Sequence, residues 1–255
     1  MRRPLTGYWG RATRLAQTNE GTMIDFTDRA AVAKAIQYTN VSPDLTRDGL
    51  LAHLEQCVHY GFDAAMIGPC WVGLARDVLA GSGVRVATTL NFPMANDTLA
   101  MKLAALRELA AAGADEFDFP PNPGYLLGGM EAEYRHELDE IVAAAHSEGL
   151  VVKAMLEFGF LPTEDLKVAA TRAAYEAGID WVKQSSGWGK GGCEATTADV
   201  ALLAANIQTP CRVKVSGKVN TREKMEALFA AGAELVGTSS GPAIVDGIVG
   251  DPNAY

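Results

Sequence analysis

Long apolar runs are missing from this sequence. No stretch reaches the roughly 18 consecutive apolar residues of a membrane-spanning helix, and residues 1–25 lack the apolar segment of about 7–15 residues that marks a secretory signal. Cysteine is scarce: Cys57, Cys70, Cys193 and Cys211 stand far apart, with no CxxC and no Cys–His pairing at metal-ligand spacing. They read as reduced thiols in the core or a pocket. The histidines, His53, His59, His136 and His146, fall in helical segments without mutual metal spacing, so no metal is expected. Nothing in the sequence calls for an organic cofactor. Aromatic residues make up only 7% of the chain against 26 glycines, which suits short strand–helix connections better than an all-β sandwich. A basic surplus is absent too, because 22 Lys and Arg against 31 Asp and Glu leave a net charge of -9. The surface as a whole repels nucleic acid and anionic membranes, and an anionic substrate requires a local positive pocket. A cytoplasmic protein is the expectation.

What is present is enough apolar residue, 48% of 255, to build one core of the size of a single α/β barrel, roughly 250 residues. Residues 1–25 are polar and aperiodic and read as an N-terminal extension, with Met23 a second candidate start; residues 26–255 read as one catalytic domain. Short apolar runs then alternate with helical patterns. The strand candidates are AIQYT at 35–39, AAMIG at 64–68, RVATTLN at 85–91, DEFDF at 115–119, VVKAMLE at 151–157, WVKQS at 181–185, RVKVS at 212–216 and ELVGTS at 234–239. YGFD, AGADE, AGID and AGAE each place a glycine between a helical pattern and the next strand, the usual chemistry of a helix C-terminus. Segments such as 98–113 and 222–232 keep apolar residues at helical spacing. Eight βα units with no GxGxxG after the first strand predict a closed (β/α)8 TIM barrel rather than an open doubly wound sheet. In such barrels the chemistry sits at the C-terminal strand ends.

Three consecutive strands carry a lysine after two residues, in Val151-Val152-Lys153, Trp181-Val182-Lys183 and Arg212-Val213-Lys214. If all three point inward, three ammonium groups converge, and burial with mutual repulsion forces at least one to titrate well below the ordinary ~10.4. A neutral amine near pH 7 is what Schiff-base formation with a carbonyl needs. Carboxylates are at hand in Asp115, Glu116 and Asp118. Alternation places Glu116 and Asp118 on one face, as it does Lys153, Met155 and Glu157. Asp115 and Glu116 read as groups that cap or solvate a strand start, and Asp118 as the proton-handling carboxylate. Glycine-rich turns follow the last three strands, at Ser185–Gly192, Ser216-Gly217 and Gly237–Gly241. Their free N–H groups and hydroxyls suit an anion such as phosphate.

These residues resemble the deoxyribose-phosphate aldolase family, from about Ile36 to the C-terminus. Val182-Lys183-Gln184-Ser185-Ser186-Gly187-Trp188-Gly189 is similar to the family's VKTSTGFG around its Schiff-base lysine, which implies that Lys183 is the nucleophile. Val213-Lys214-Val215-Ser216-Gly217 resembles VKASGG, whose lysine lowers the pKa of the first, so Lys214 inherits that role. GADEFD resembles GADEVD, which implies a proton relay through Asp118. Lys153 sits where the family has VKVILETG, and Gly237–Gly241 repeats its GTSSG phosphate loop. The resemblance implies substrate or phosphate contacts from Thr39, Ser186, Gly187, Gly191, Gly192, Gly217, Lys218, Ser239 and Ser240, and proton transfer by the C-terminal Tyr255. Departures surround the substrate: the aspartate of IDHTLL is Gln37, the threonines of KTSTG are Gln184 and Ser186, Cys193-Glu194 interrupts a GGAT run, and Lys218 replaces a glycine. Gln37 is expected to face a sugar hydroxyl, and Lys218 either to add charge to the phosphate site or to plug it. The implied activity is class I aldol cleavage and addition, with 2-deoxyribose 5-phosphate giving acetaldehyde and glyceraldehyde 3-phosphate. A diverged Schiff-base aldolase or lyase on another donor, or a catalytically silent sugar-phosphate-binding barrel, are the alternatives. The partner is a small phosphorylated sugar or aldehyde, and a homo-oligomer stays open.

Overall fold

The computed structural model describes residues 24–250, so all but the last two residues of the expected extension lie outside the described residues. The first element is a helix that the periodicity reading omits, α1 (Arg29–Lys34), opened by Asp28, whose side chain accepts from the Ala30 N–H. Its signal is an N-cap residue before an alanine-rich run. There follow β1 (Ile36–Asn40), α2 (Arg47–Tyr60), β2 (Ala64–Ile67), α3 (Val72–Leu79), β3 (Arg85–Thr89), α4 (Leu99–Ala112), β4 (Glu116–Phe119), α5 (Pro123–Leu127) and α6 (Glu131–Ser147). The second half runs β5 (Val151–Met155), α7 (Glu164–Glu176), β6 (Trp181–Lys183), α8 (Thr197–Ala205), β7 (Arg212–Ser216), α9 (Arg222–Ala230), β8 (Leu235–Thr238) and α10 (Gly241–Asp246). All eight strands are parallel and paired in sequence order, and β8 returns to β1 with Gly237 opposite Gln37. The expected (β/α)8 barrel is the fold.

Local chemistry explains the element boundaries. Threonines 46, 98, 163, 196 and 221 open α2, α4, α7, α8 and α9, each hydroxyl accepting the N–H three residues on, an arrangement that satisfies a donor the helix itself cannot. The hinge glycines expected from sequence, Gly61, Gly113, Gly178 and Gly232, have φ of 69°, 95°, 84° and 115°, a backbone region that side chains with a Cβ rarely adopt.

Outward strand residues, among them Ile36, Ile67, Phe117, Val152, Val182 and Val213, form the apolar core with the helices. The barrel interior is divided. On β2 and β3 it is filled by a small apolar group, Ala64, Met66 and Ala87; across β4 to β7 it holds Glu116, Asp118, Lys153, Lys183 and Lys214, all buried. One wall of the interior is therefore apolar and the other ionic.

A second buried pair lies outside the barrel, where Lys102 of α4 meets Glu137 of α6. Lys102 Nζ also donates to the Ala95 carbonyl at 2.7 Å, and Glu137 Oε2 accepts from the Asn122 N–H at 3.2 Å. The pair thereby ties the loops after β3 and β4 to the helix layer. Glu137→Leu leaves a buried ammonium unpaired and is expected to cost about 3–5 kcal/mol, whereas Lys102→Met with Glu137→Leu recovers most of that loss. Urea denaturation of both variants checks this, and equal stabilities would contradict it.

Candidate active site

Alternation along β4 sends Glu116 and Asp118 inward, and the register sets Asp118 beside Lys153 and Lys183 beside Lys214. Four strands thus deliver five ionisable side chains to one place. Lys183 Nζ and Lys214 Nζ both donate to the same atom, Asp118 Oδ2, each at 2.7 Å. Lys153 Nζ donates to Glu116 Oε2 at 2.6 Å and lies 3.6 Å from Asp118 Oδ1. Asp118 Oδ1 has no hydrogen-bond partner among the described residues. It belongs to a residue that lines the pocket, and it has lone pairs to offer to an incoming hydroxyl or water.

The electrostatics follow from burial. Burial alone would push the Asp118 carboxyl up, but the charges of Lys183, Lys214 and Lys153 outweigh it and hold the group far below the usual carboxylate range. For Lys214 burial acts in the other sense and dominates: together with the like charges of Lys183 and Lys153 it brings the amine down to about 7, against the pull of Asp118. The low-pKa amine foreseen for a three-lysine cluster exists, and it is Lys214.

Above these groups is a narrow pocket with about 10 Å³ of free volume, lined by Thr39, Val41, Met66, Thr89, Phe92, Met155 and Ser216 with Asp118, Lys183 and Lys214. That space is on the scale of one water, and its apolar side suits a short carbon chain. Phe92, from the loop after β3, meets Trp188, from the loop after β6, with ring centroids 5.6 Å apart. The two rings form a lip at the mouth.

Several expected site residues stand elsewhere. Gln37 is fully buried beneath Lys214, not facing the pocket, because its position on β1 places it one layer below Thr39. Glu116, read from sequence as a solvated strand start, is fully buried and ion-paired with Lys153; Asp115 does cap, accepting from the Val86 N–H at 2.7 Å. Cys70 is exposed, neither core nor pocket. Lys218 is exposed, with a φ of 52°, and is not among the residues that line this pocket. Ser186 is spent within its own loop: its N–H donates to Glu157 at 3.2 Å and its hydroxyl to the Trp188 carbonyl at 3.3 Å.

Glu157 lies past the end of β5, at φ 47°, and takes the Ser185 hydroxyl at 3.0 Å. Burial pushes its carboxyl up, against the hydrogen bonds of Ser186 and Ser185 and the charge of Lys183. Gly191, Gly192 and Gly217 are glycines of close approach: a Cβ would collide with the Phe160 ring, the Trp188 nitrogen and the Cys193 carbonyl, respectively. Gly187 has a φ of 79°, Ser239 is partly buried, and Ser240 is buried with its N–H on Thr238 Oγ1 at 2.9 Å. Tyr255 lies outside the described residues. Sequence reasoning missed Met66, Thr89, Phe92 and Met155 as pocket walls, although period-2 alternation with Lys153 already puts Met155 on an inward face.

Comparison with known proteins gives consistent results. Residues 54–246 match the family described as DeoC/LacD family aldolase. The chain is 36% identical over 218 residues to a deoxyribose-phosphate aldolase of Thermococcus gammatolerans, covering 85% of this chain and 96% of that one. It is 37% identical over 214 residues to a Bacillus cereus protein of the same name, with 84% and 94% covered. A solved structure described as a tetrameric deoxyribose phosphate aldolase from Aeropyrum pernix superposes with a TM-score of 0.77 at 25% identity, covering 86% of this chain and 92% of that one.

The pKa of Lys214 carries a stability prediction. Its folded value of about 7 lies below the ordinary 10.5, so between these values the unfolded chain binds more protons and the unfolding free energy rises with pH. The rise is at most about 1.4 kcal/mol per pH unit. Lys214→Met is expected to flatten it between pH 7 and 9 in urea denaturation; an equally steep rise in the variant would contradict the assignment.

Proposed function

Because the chain belongs to the DeoC/LacD aldolase family, we propose that it is a class I aldolase acting on 2-deoxyribose 5-phosphate through an imine on Lys183. The observation that carries this reading is the pair of buried amines sharing Asp118 Oδ2, one of them brought down to about 7. A neutral Lys214 amine can take a proton from the Lys183 ammonium across the oxygen they share, which leaves Lys183 with a free lone pair. That lone pair attacks the aldehyde carbon of the open-chain sugar. A C–N bond forms, the carbonyl oxygen leaves as water, and the protonated imine draws electrons from the bond between the second and third carbons while the hydroxyl on the third carbon gives its proton to Asp118. Cleavage releases glyceraldehyde 3-phosphate and leaves a two-carbon enamine. Its protonation and hydrolysis return acetaldehyde and the free lysine.

Asp118 is suited to the proton steps, since it lines the pocket and its Oδ1 accepts no hydrogen bond among the described residues while Oδ2 is held by the lysines. Lys153, anchored on Glu116, keeps a positive charge behind Asp118 and supports its ionised form. Met66, Met155 and Val41 give the pocket an apolar side suited to the methyl end of the two-carbon donor. The phosphate is assigned to the turns after β6, β7 and β8, which carry Gly187, Gly191, Gly192, Gly217, Ser239 and Ser240, with Thr39 toward the sugar and Lys218 adding a cation at the rim. Residues 26–255 form the catalytic unit in this reading, working in the cytoplasm; assembly as a homo-oligomer is supported by the Aeropyrum pernix protein, whose structure is described as tetrameric. No helix among the described residues is long and apolar enough to cross a membrane.

Two experiments test the reading. Borohydride reduction in the presence of acetaldehyde or deoxyribose 5-phosphate is expected to add covalent mass to the peptide holding Lys183 and to nothing after Lys183→Ala. Label that survives this change would sink Lys183 as nucleophile, and no label from any aldehyde would sink the imine. Lys218→Gly is expected to lower kcat/KM for deoxyribose 5-phosphate about two- to fivefold relative to free deoxyribose, the size of an exposed charge interaction. A gain in phosphate preference would show that Lys218 hinders the phosphate.

A further inference from the structure

Gln37 is an uncharged side chain inside a buried set of charges. Its amide orientation is settled by its neighbours, because Nε2 donates to Glu116 Oε1 at 2.6 Å and to Asp63 Oδ2 at 3.0 Å. Two carboxylates can only be met by the nitrogen end. Oε1 is therefore the atom that accepts from Lys214 Nζ at 2.5 Å. No pocket lining includes Gln37, and it is fully buried, so it has no direct part in holding a donor.

The charges around Lys214 can be counted strand by strand. Lys153 stands on β5, Lys183 on β6, and Asp118 and Glu116 on β4. Beyond Gln37, Asp63 and Arg85 form a pair of their own at 2.5 Å, with the Arg85 guanidinium 3.4 Å from Glu116. Glu157 faces Lys183 but is turned onto Ser185 and Ser186 and forms no ion pair among the described residues. The buried ionic set thus holds three ammonium groups against two carboxylates, and the position that touches the third ammonium is an amide.

We propose that Gln37 is a positioning residue that keeps the lysine cluster one carboxylate short, so that one amine beside Asp118 stands neutral before a donor arrives. A glutamate here would set a third carboxylate directly against Lys214 and favour its protonated form. An aliphatic residue would remove the amide dipole that steadies the Lys214 ammonium. The two replacements therefore pull in opposite directions.

The inference deepens the imine reading and rests on it for its consequence, yet the measurement does not need a substrate. The full chain, labelled with 13C-lysine and free of ligand, is titrated by NMR from pH 5.5 to 10 in wild type, Gln37→Glu and Gln37→Leu. The wild type is expected to show one lysine titrating near neutrality. Gln37→Glu raises that lowest midpoint by about one pH unit or more, and Gln37→Leu lowers it. Movement of both in the same direction, or of neither, overturns the proposal. Should Gln37→Glu not fold, Gln37→Leu decides alone, since a midpoint that stays or rises overturns it. Borohydride trapping with acetaldehyde gives the chemical consequence: at pH 7 Gln37→Glu labels about fivefold more slowly if its midpoint rises by one pH unit, and it recovers toward pH 9. Loss at every pH in a folded protein would mark Gln37 as structural only. If wild type traps no donor while the midpoints still move apart, the imine reading fails and the role of Gln37 stands.

Discussion

Two ammonium groups on one carboxylate oxygen are the constraint to which the rest of the barrel interior answers. Like charges so close, away from water, repel strongly; Asp118 holds them together only because it stays ionised under their combined field. The arrangement cannot relax by rotamer change, since Lys183 and Lys214 are register partners on neighbouring strands and both are buried. The remaining way to lower the energy is to lose a proton, which the Lys214 amine does near neutrality. Structural stress and chemical reactivity are in this sense one quantity, expressed as a free lone pair.

The interior is organised to preserve that stress. Glu116 engages Lys153 from below and accepts from Gln37, so the second carboxylate is occupied away from Lys183 and Lys214. The opposite wall, Ala64, Met66 and Ala87, brings neither charge nor hydrogen-bonding side chains. Water enters only to the extent that the small pocket below the Phe92 and Trp188 rings admits it. Each feature keeps the local dielectric low and the lysines poorly screened.

Most of the fold was legible because its signals are local. Strand runs bounded by hinge glycines are fixed by the backbone conformations that these residues permit. The lysines were legible as a set because three consecutive strands repeated one spacing. What stayed hidden depends on depth along a strand and on contacts between distant strands. Glu116 and Asp118 look alike in sequence, and only barrel closure shows that both are buried. Gln37 faces a partner 177 positions away, so its role could not be read from its neighbours. Ser186 has the residue type of a ligand contact, but its groups are taken by Glu157 and by its own loop. Short α1 was overlooked because six residues carry too little periodicity to register.

Closure of the barrel also has a temporal meaning. The seam between β8 and β1 sets Gly237 opposite Gln37, and a Cβ at Gly237 would lie 2.5 Å from the Ser216 hydroxyl and 3.3 Å from the Lys214 side chain. The last strand to leave the ribosome is thus the one that completes the wall beside Lys214 and the neighbour of Gln37. Until β8 closes against β1, Lys214 lacks that wall and part of the burial that brings its pKa down. The lowered pKa is therefore a property of the closed ring of strands and of no shorter piece of the chain.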